Sequence, residues 1–350
     1  MAVGCKKMPS LASIRRLLAA SLLASPALAI RSLASSMPIL VGNTFTTKPQ
    51  QPSSNDTPLP LVIWHGLGDS FNSEGMQQVA QLAQAIHPGT LVHPISLADN
   101  DGSADRSATF LGNVSAQVDA VCAALASHPI LSTAPAIDAL GFSQGGQFLR
   151  AYVQRCNAPP VRSLVTFGSQ HNGITEFRAC NPSDWLCRGA MLLLRSNTWS
   201  DFVQSRLVPA QYFRDPSDLP SYLEHSNFLA DVNNERAVKN ASYADNIARL
   251  SHFVMYLFDH DTTVVPKQTS WFDDVNGTST TPLRERRLYK EDWLGLQRLD
   301  RKGGLVFRSV AGEHMQIPVD VLNQTMAEFF GPQKSSESSV EDALADPDEL

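Results

Sequence analysis

Residues 139–150, "ALGFSQGGQFLR", decide how this chain is read. The segment sets Ser143 between Gly141 and Gly145. A serine with glycines two positions to either side is a weak signal by itself, so its surroundings must say whether it is a nucleophile. "AIDALGF" reads as a short buried strand and "QGGQFLRAYVQRC" as the helix after it. Ser143 therefore stands where a strand gives way to a helix. A tight turn there, with glycine neighbours that let the two backbones touch, lifts the hydroxyl above the strand ends. The competing reading is a serine that merely caps a helix after a glycine turn.

Working outward, the same alternation recurs. "LPLVIWHG" is an unbroken apolar run, the pattern of a strand buried on both faces. "SEGMQQVAQLAQAIHP" puts Met76, Val79, Leu82, Ala83 and Ile86 on one helical stripe, and "TLVHPISL" is strand-like. A second amphipathic helix carries Leu111, Val114, Val118, Val121 and Leu125, and "VRSLVTFGS" is strand again. Strands alternating with helices of this length imply a mostly parallel sheet with helices on both faces. From about 170 to 250 the alternation lapses, which predicts a helical cap inserted over the strand ends; its apolar "WLCRGAMLLLRSNTWSDFVQSRL" lines a ligand groove or packs as ordinary core. The sheet pattern resumes at "HFVMYLFD" and "LVFRSVAG", and "VDVLNQTMAEFF" supplies a closing helix.

A serine hydroxyl needs a base, and the base a third group that fixes its tautomer. On this kind of sheet the order is serine, acid, histidine. Of nine histidines, His225, His252, His260 and His314 follow Ser143 by more than fifty residues. His314, in "SVAGEHMQ", lies in the loop after a late strand and is the base; the others read as structural. Asp259 and Asp261 both follow "YLF", and Asp261, farther into its loop, is the better acid. A tetrahedral intermediate also needs backbone donors for its oxyanion, worth roughly 3 kcal/mol each. Gln144, directly after the serine, supplies one, and Leu67 in the glycine turn "HGLGDS" the other; His65 braces that turn rather than acting as a base. No metal or organic cofactor is called for.

The ends of the chain have a different composition. The first 55 residues hold no Asp or Glu and run from basic residues into "LLAASLLASPALAI". Residues 1–29 read as a secretory signal, with an organellar transit peptide as the alternative, and residues 30–57 as a linker. No later run is long enough to span a bilayer. Sequons at Asn55, Asn113, Asn240, Asn276 and Asn323 favour the secretory route. The organised domain then covers 58–331. Residues 332–350 carry six acids against one lysine and read as a disordered tail, whose final "DEL" resembles an ER retrieval signal. A net charge of −6 argues against nucleic acid as a partner, and the basic "RERR" at 284–287 reads as a solvated face. Past the leader, Cys122, Cys156, Cys180 and Cys187 suit two disulfides of open connectivity, or four buried thiols.

Together "PLVIWHGLGDS", "LGFSQGGQFLRAYVQRC", "GSQHNGI", "FLADVNNER", "FVMYLFDHDTTVVP", "SWF" and "AGEHMQI" resemble the lysosomal palmitoyl-protein thioesterases. The resemblance covers about 58–331. It implies an α/β-hydrolase that removes long-chain fatty acyl groups from cysteine thioesters of lipidated proteins or peptides, in a lysosome, a vacuole or outside the cell. It places nucleophile, acid and base on Ser143, Asp261 and His314, and pairs Cys122 with Cys156 and Cys180 with Cys187. The family's two adjacent cysteines after the glycine turn are replaced here by Phe71-Asn72. Two other readings stand beside it: a lipase or carboxylesterase on the same fold, and a non-catalytic lipid-binding relative.

Overall fold

The computed structural model describes residues 57–177, 183, 188–189, 191–192, 194 and 197–333. The leader, Asn55, Cys180, Cys187 and the tail beyond Gln333 lie outside the described residues; Pro332, expected to begin that tail, instead bridges to Pro58.

Six parallel strands form the central sheet in the order β2-β1-β3-β4-β5-β8: β1 Leu61–Trp64, β2 Val92–Pro94, β3 Ile137–Phe142, β4 Val161–Phe167, β5 His252–Phe258 and β8 Leu305–Val310. Between the last two, β6 (Asp274–Asn276) and β7 (Ser279–Thr281) form a separate antiparallel hairpin. The two-residue period of a strand sends alternate side chains to opposite faces, so continuous apolar runs feed two cores. Val62, Trp64, Ile137, Ala139, Phe253 and Met255 point into one. Leu61, Ile63, Leu140, Phe142, Val254 and Phe258 point into the other. Each large apolar side chain buried in this way contributes roughly 1.5–3 kcal/mol.

Helices cover both faces. α1 (Glu74–Ile86) packs against the last helix, α7 (Val319–Phe329), over the second core. α3 (Val114–Ser127) and α4 (Gln144–Arg155) lie over the first, beyond the short α2 (Gly102–Ala108). Side chains start these helices where the sequence has small polar residues: Ser73 accepts from Met76 N–H, Asp101 from Ser103 N–H, and Asn113 from Ala116 N–H. Leu111, expected on α3, precedes the Asn113 cap; it is exposed and bridges to Leu207. Cys122 of α3 is bonded to Cys156, which ends α4, across a sequence separation of 34.

Between β4 and β5 the regular elements among the described residues are helices, including α5 (Asp201–Arg206) and α6 (Ala241–Arg249), joined by loops. α6 packs on α4 as an ordinary crossover helix. Leu194, Val203, Leu207 and Ala210 form a small core of their own, while Leu192 is exposed. Arg214 bonds Asp274 at 2.7 Å and Glu235 at 3.1 Å, tying the insertion to the hairpin. Arg286 is buried in this network, also against Glu235, so the "RERR" stretch is not a uniformly solvated face. No helix among the described residues is long and apolar enough to cross a membrane.

Candidate active site

Four loops leave the carboxyl ends of β1, β3, β5 and β8 on one edge of the sheet, and each carries one part of the site. Ser143 follows β3 with φ 52° and ψ −126°, a left-handed conformation that an L-residue holds only when its surroundings enforce it. Close packing enforces it here. A Cβ on Gly141 would lie 2.2 Å from Gly146 Cα, and one on Gly145 would lie 2.3 Å from the Trp64 carbonyl oxygen. Only glycine lets α4 press onto β3 and β1, and that pressure leaves the hydroxyl projecting from the turn.

Asp261 follows β5. Its Oδ1 accepts from the N–H groups of Thr263 at 2.8 Å and Val264 at 2.9 Å. The carboxylate is thereby fixed in a local turn, with Oδ2 left to receive His314 Nδ1–H at 2.7 Å. His314 follows β8 and packs edge-on against Phe258, and its Nε2 lies 3.0 Å from Ser143 Oγ. With Nδ1 donating to the acid, Nε2 presents a lone pair to the hydroxyl, the arrangement that draws off its proton. The three residues singled out in the sequence are thus in one hydrogen-bonded line.

The remaining candidates fall elsewhere. His252 begins β5 at the opposite edge and packs on Phe329. His225 ends a short helix beside Glu224, and His260 is exposed. Asp259 offers its carbonyl to Lys267 rather than a carboxylate to His314. His65 is fully buried with its Nε2 2.9 Å from Asp105 Oδ2, as a brace.

Leu67 and Gln144 flank the serine from the β1 turn and from the first turn of α4. Gly66 approaches closely enough that a Cβ there would stand 3.2 Å from Ser143 Cβ. Among the described residues neither the Leu67 N–H nor the Gln144 N–H has an acceptor. The start of α4 adds the partial positive charge of a helix N-terminus. An oxygen bound to a carbon attacked by Ser143 would find unspent donors here.

A cavity of about 1050 Å³ opens beside Ser143 and His314. This is at the upper end of the range for small-molecule sites, about 300–1,000 Å³. Residues of the insertion line part of it, among them Ile174, Phe177, Met191 and Tyr212. The groove is not confined to the insertion, however. Met76, Val79 and Leu82 of α1 and Leu322 of α7 form another wall.

Sequence reasoning missed Asp105 and Thr109. Both belong to or end α2, a seven-residue helix too short to show a periodic stripe. Burial works to raise the Asp105 carboxyl, but hydrogen bonds from His65 and from the Leu97 and Phe71 N–H groups outweigh it and hold the carboxyl below its usual range.

The parallel sheet and this edge define an α/β-hydrolase. The family described as palmitoyl protein thioesterase matches residues 60–314. Palmitoyl-protein thioesterase 1 of Caenorhabditis elegans is 38% identical over 277 residues, 78% of this chain and 92% of that one. A palmitoyl-protein thioesterase-dolichyl pyrophosphate phosphatase fusion of Schizosaccharomyces pombe is 34% identical over 289 residues, 81% of this chain and 46% of the fusion. The human lysosomal thioesterase PPT2 is 29% identical over 260 residues, 72% of this chain and 80% of that one. The chain belongs to the palmitoyl-protein thioesterase family.

Proposed function

We propose that the protein hydrolyses long-chain acyl thioesters on cysteines of lipidated proteins or peptides, with Ser143 as nucleophile, His314 as base and Asp261 as its orienting acid. The observation that carries this reading is the single imidazole bonded at 2.7 Å to Asp261 and at 3.0 Å to Ser143. Ser143 Oγ attacks the thioester carbonyl carbon while His314 Nε2 takes its proton. The carbonyl oxygen becomes an oxyanion held by the Leu67 and Gln144 N–H groups. As the carbonyl reforms, the C–S bond breaks and the cysteine leaves as thiol with the proton from His314. Water, deprotonated by His314, then attacks the acyl-serine; the free fatty acid departs and the serine regains its proton.

A cysteine thiol with pKa about 8.5 leaves more readily than an alkoxide. Selectivity then rests on the acyl chain, at about 0.8 kcal/mol per buried methylene, and the apolar lining of the cavity supports a long one. The chain needs no metal or organic cofactor for these steps. We assign residues 1–29 to a leader for the secretory pathway; relatives named as lysosomal support a lysosome or vacuole as destination.

Purified protein should release palmitate from a palmitoylated peptide, with Ser143→Ala as control. A palmitoyl oxygen ester cleaved faster than the matched thioester would favour a lipase or carboxylesterase. Failure of a fluorophosphonate to label Ser143 would favour a non-catalytic lipid carrier.

A further inference from the structure

The turn that carries Leu67 is held along its whole length by α2 and the residue that ends it. At its start His65 Nε2 lies 2.9 Å from Asp105. At its end the Phe71 N–H donates to Asp105 at 2.8 Å. In the middle Thr109 Oγ1 accepts from Gly68 N–H at 2.9 Å and donates to the Arg106 carbonyl at 2.6 Å. Arg106 Nε donates to the Gly68 carbonyl at 2.9 Å, so both polar groups of Gly68 are fixed. Thr109 also touches Gln144 away from its backbone, its carbonyl accepting from the side-chain Nε2 at 3.3 Å. It is buried, at 1% exposure, and does not line the cavity.

We propose that Thr109 is a positioning residue that sets the Leu67 oxyanion donor, an inference that rests on the reading of Leu67 above. Gly68, at φ 79°, has the conformational freedom of glycine, and a turn built on it is defined only by what holds it. The Gly68 N–H shares a peptide with the Leu67 carbonyl. Fixing that plane limits how the adjoining Leu67 N–H can rotate and keeps the Gly68 N–H from competing for the same oxygen. Charge gathers on that oxygen only in the transition state, so a displaced donor lowers kcat and leaves ground-state binding alone.

The test is Thr109→Val, which removes the hydroxyl at constant shape, beside Thr109→Ser, which keeps it. Four quantities are measured: kcat and KM on a palmitoylated peptide, and affinities for palmitate and for a long-chain trifluoromethyl ketone that forms a hemiketal with the serine. The valine variant should lose about 10- to 100-fold in kcat. Its KM and palmitate affinity should stay within about twofold, its ketone affinity should fall by the same factor as kcat, and the serine variant should stay near wild type. Thr109→Cys, with a weakly accepting thiol, gives the same comparison should the valine variant not fold. Wild-type kcat in the valine variant, equal loss of palmitate binding, or no rescue by serine would each overturn the proposal. Ser143→Ala that binds the ketone as tightly as wild type would instead overturn the nucleophile assignment.

Discussion

Ser143, Asp261 and His314 are separated by more than fifty residues at each step of the chain, yet each side chain has one orientation left to it. For Asp261 the reason is local: two N–H groups hold Oδ1 and only Oδ2 is free. This predicts the effect of Asp261→Asn. The amide oxygen should take the place of Oδ1, turning the NH2 toward His314 Nδ1, which must then accept. Nε2 would carry the proton and could not receive another from Ser143. We expect kcat to fall about 10⁴-fold with the fold intact, measured as thioester hydrolysis beside circular dichroism. Ser143→Ala should abolish turnover while palmitate still binds, checked by calorimetric titration, since loss of one hydroxyl leaves the apolar walls unchanged. The three residues were legible because the order serine, acid, histidine and their places after strands are written linearly. Asp105 and Thr109 were not, because their work is done on residues some 34 to 41 positions away.

The sheet strands and the long helices follow from hydrophobic period, since each buries a face that the pattern marks. Short elements behave differently. α2 and the β6-β7 hairpin are held by caps and by contacts with distant chain rather than by a stripe, although Asn276-Gly277 in the hairpin is a turn signal that sequence reasoning left unused. The Cys122–Cys156 bond ties α3 to the end of α4, the helix that supports Ser143. Replacing both cysteines by serine should cost about 3–4 kcal/mol in urea denaturation on the chain-entropy account of a loop of this length. The cavity wall contributed by α1 makes a separate prediction. Val79→Trp should fill space used by the far part of the acyl chain and lower the palmitoyl-to-octanoyl ratio of kcat/KM. Lost burial of about two methylenes corresponds to about tenfold. An unchanged ratio would show that the chain lies along the insertion instead.

At the scale of the molecule, His171 stands in the core between β4, β5 and the loop that carries Phe272. It is fully buried, stacks on Phe272 and lies 3.1 Å from Thr166 Oγ1. Burial, and then the nearby Arg150 charge, hold its pKa well below the usual imidazole value. An unfolded histidine takes a proton near pH 6.5 and the folded one does not, so unfolding takes up a proton below that pH. Stability from this group is present above pH 6.5 and is lost on acidification, by roughly 1 kcal/mol per pH unit. Urea denaturation at pH 7 and pH 5 should show a smaller drop for His171→Gln than for wild type. By itself the sequence determined the parallel sheet, the turn that raises Ser143 and the identities of its two partners, because strand period, glycine and loop position are properties of neighbouring residues. Only the tertiary structure decided which walls enclose the cavity and which residues hold the oxyanion turn. Those depend on where separate helices come to rest, and the packing of distant surfaces leaves no period along the chain.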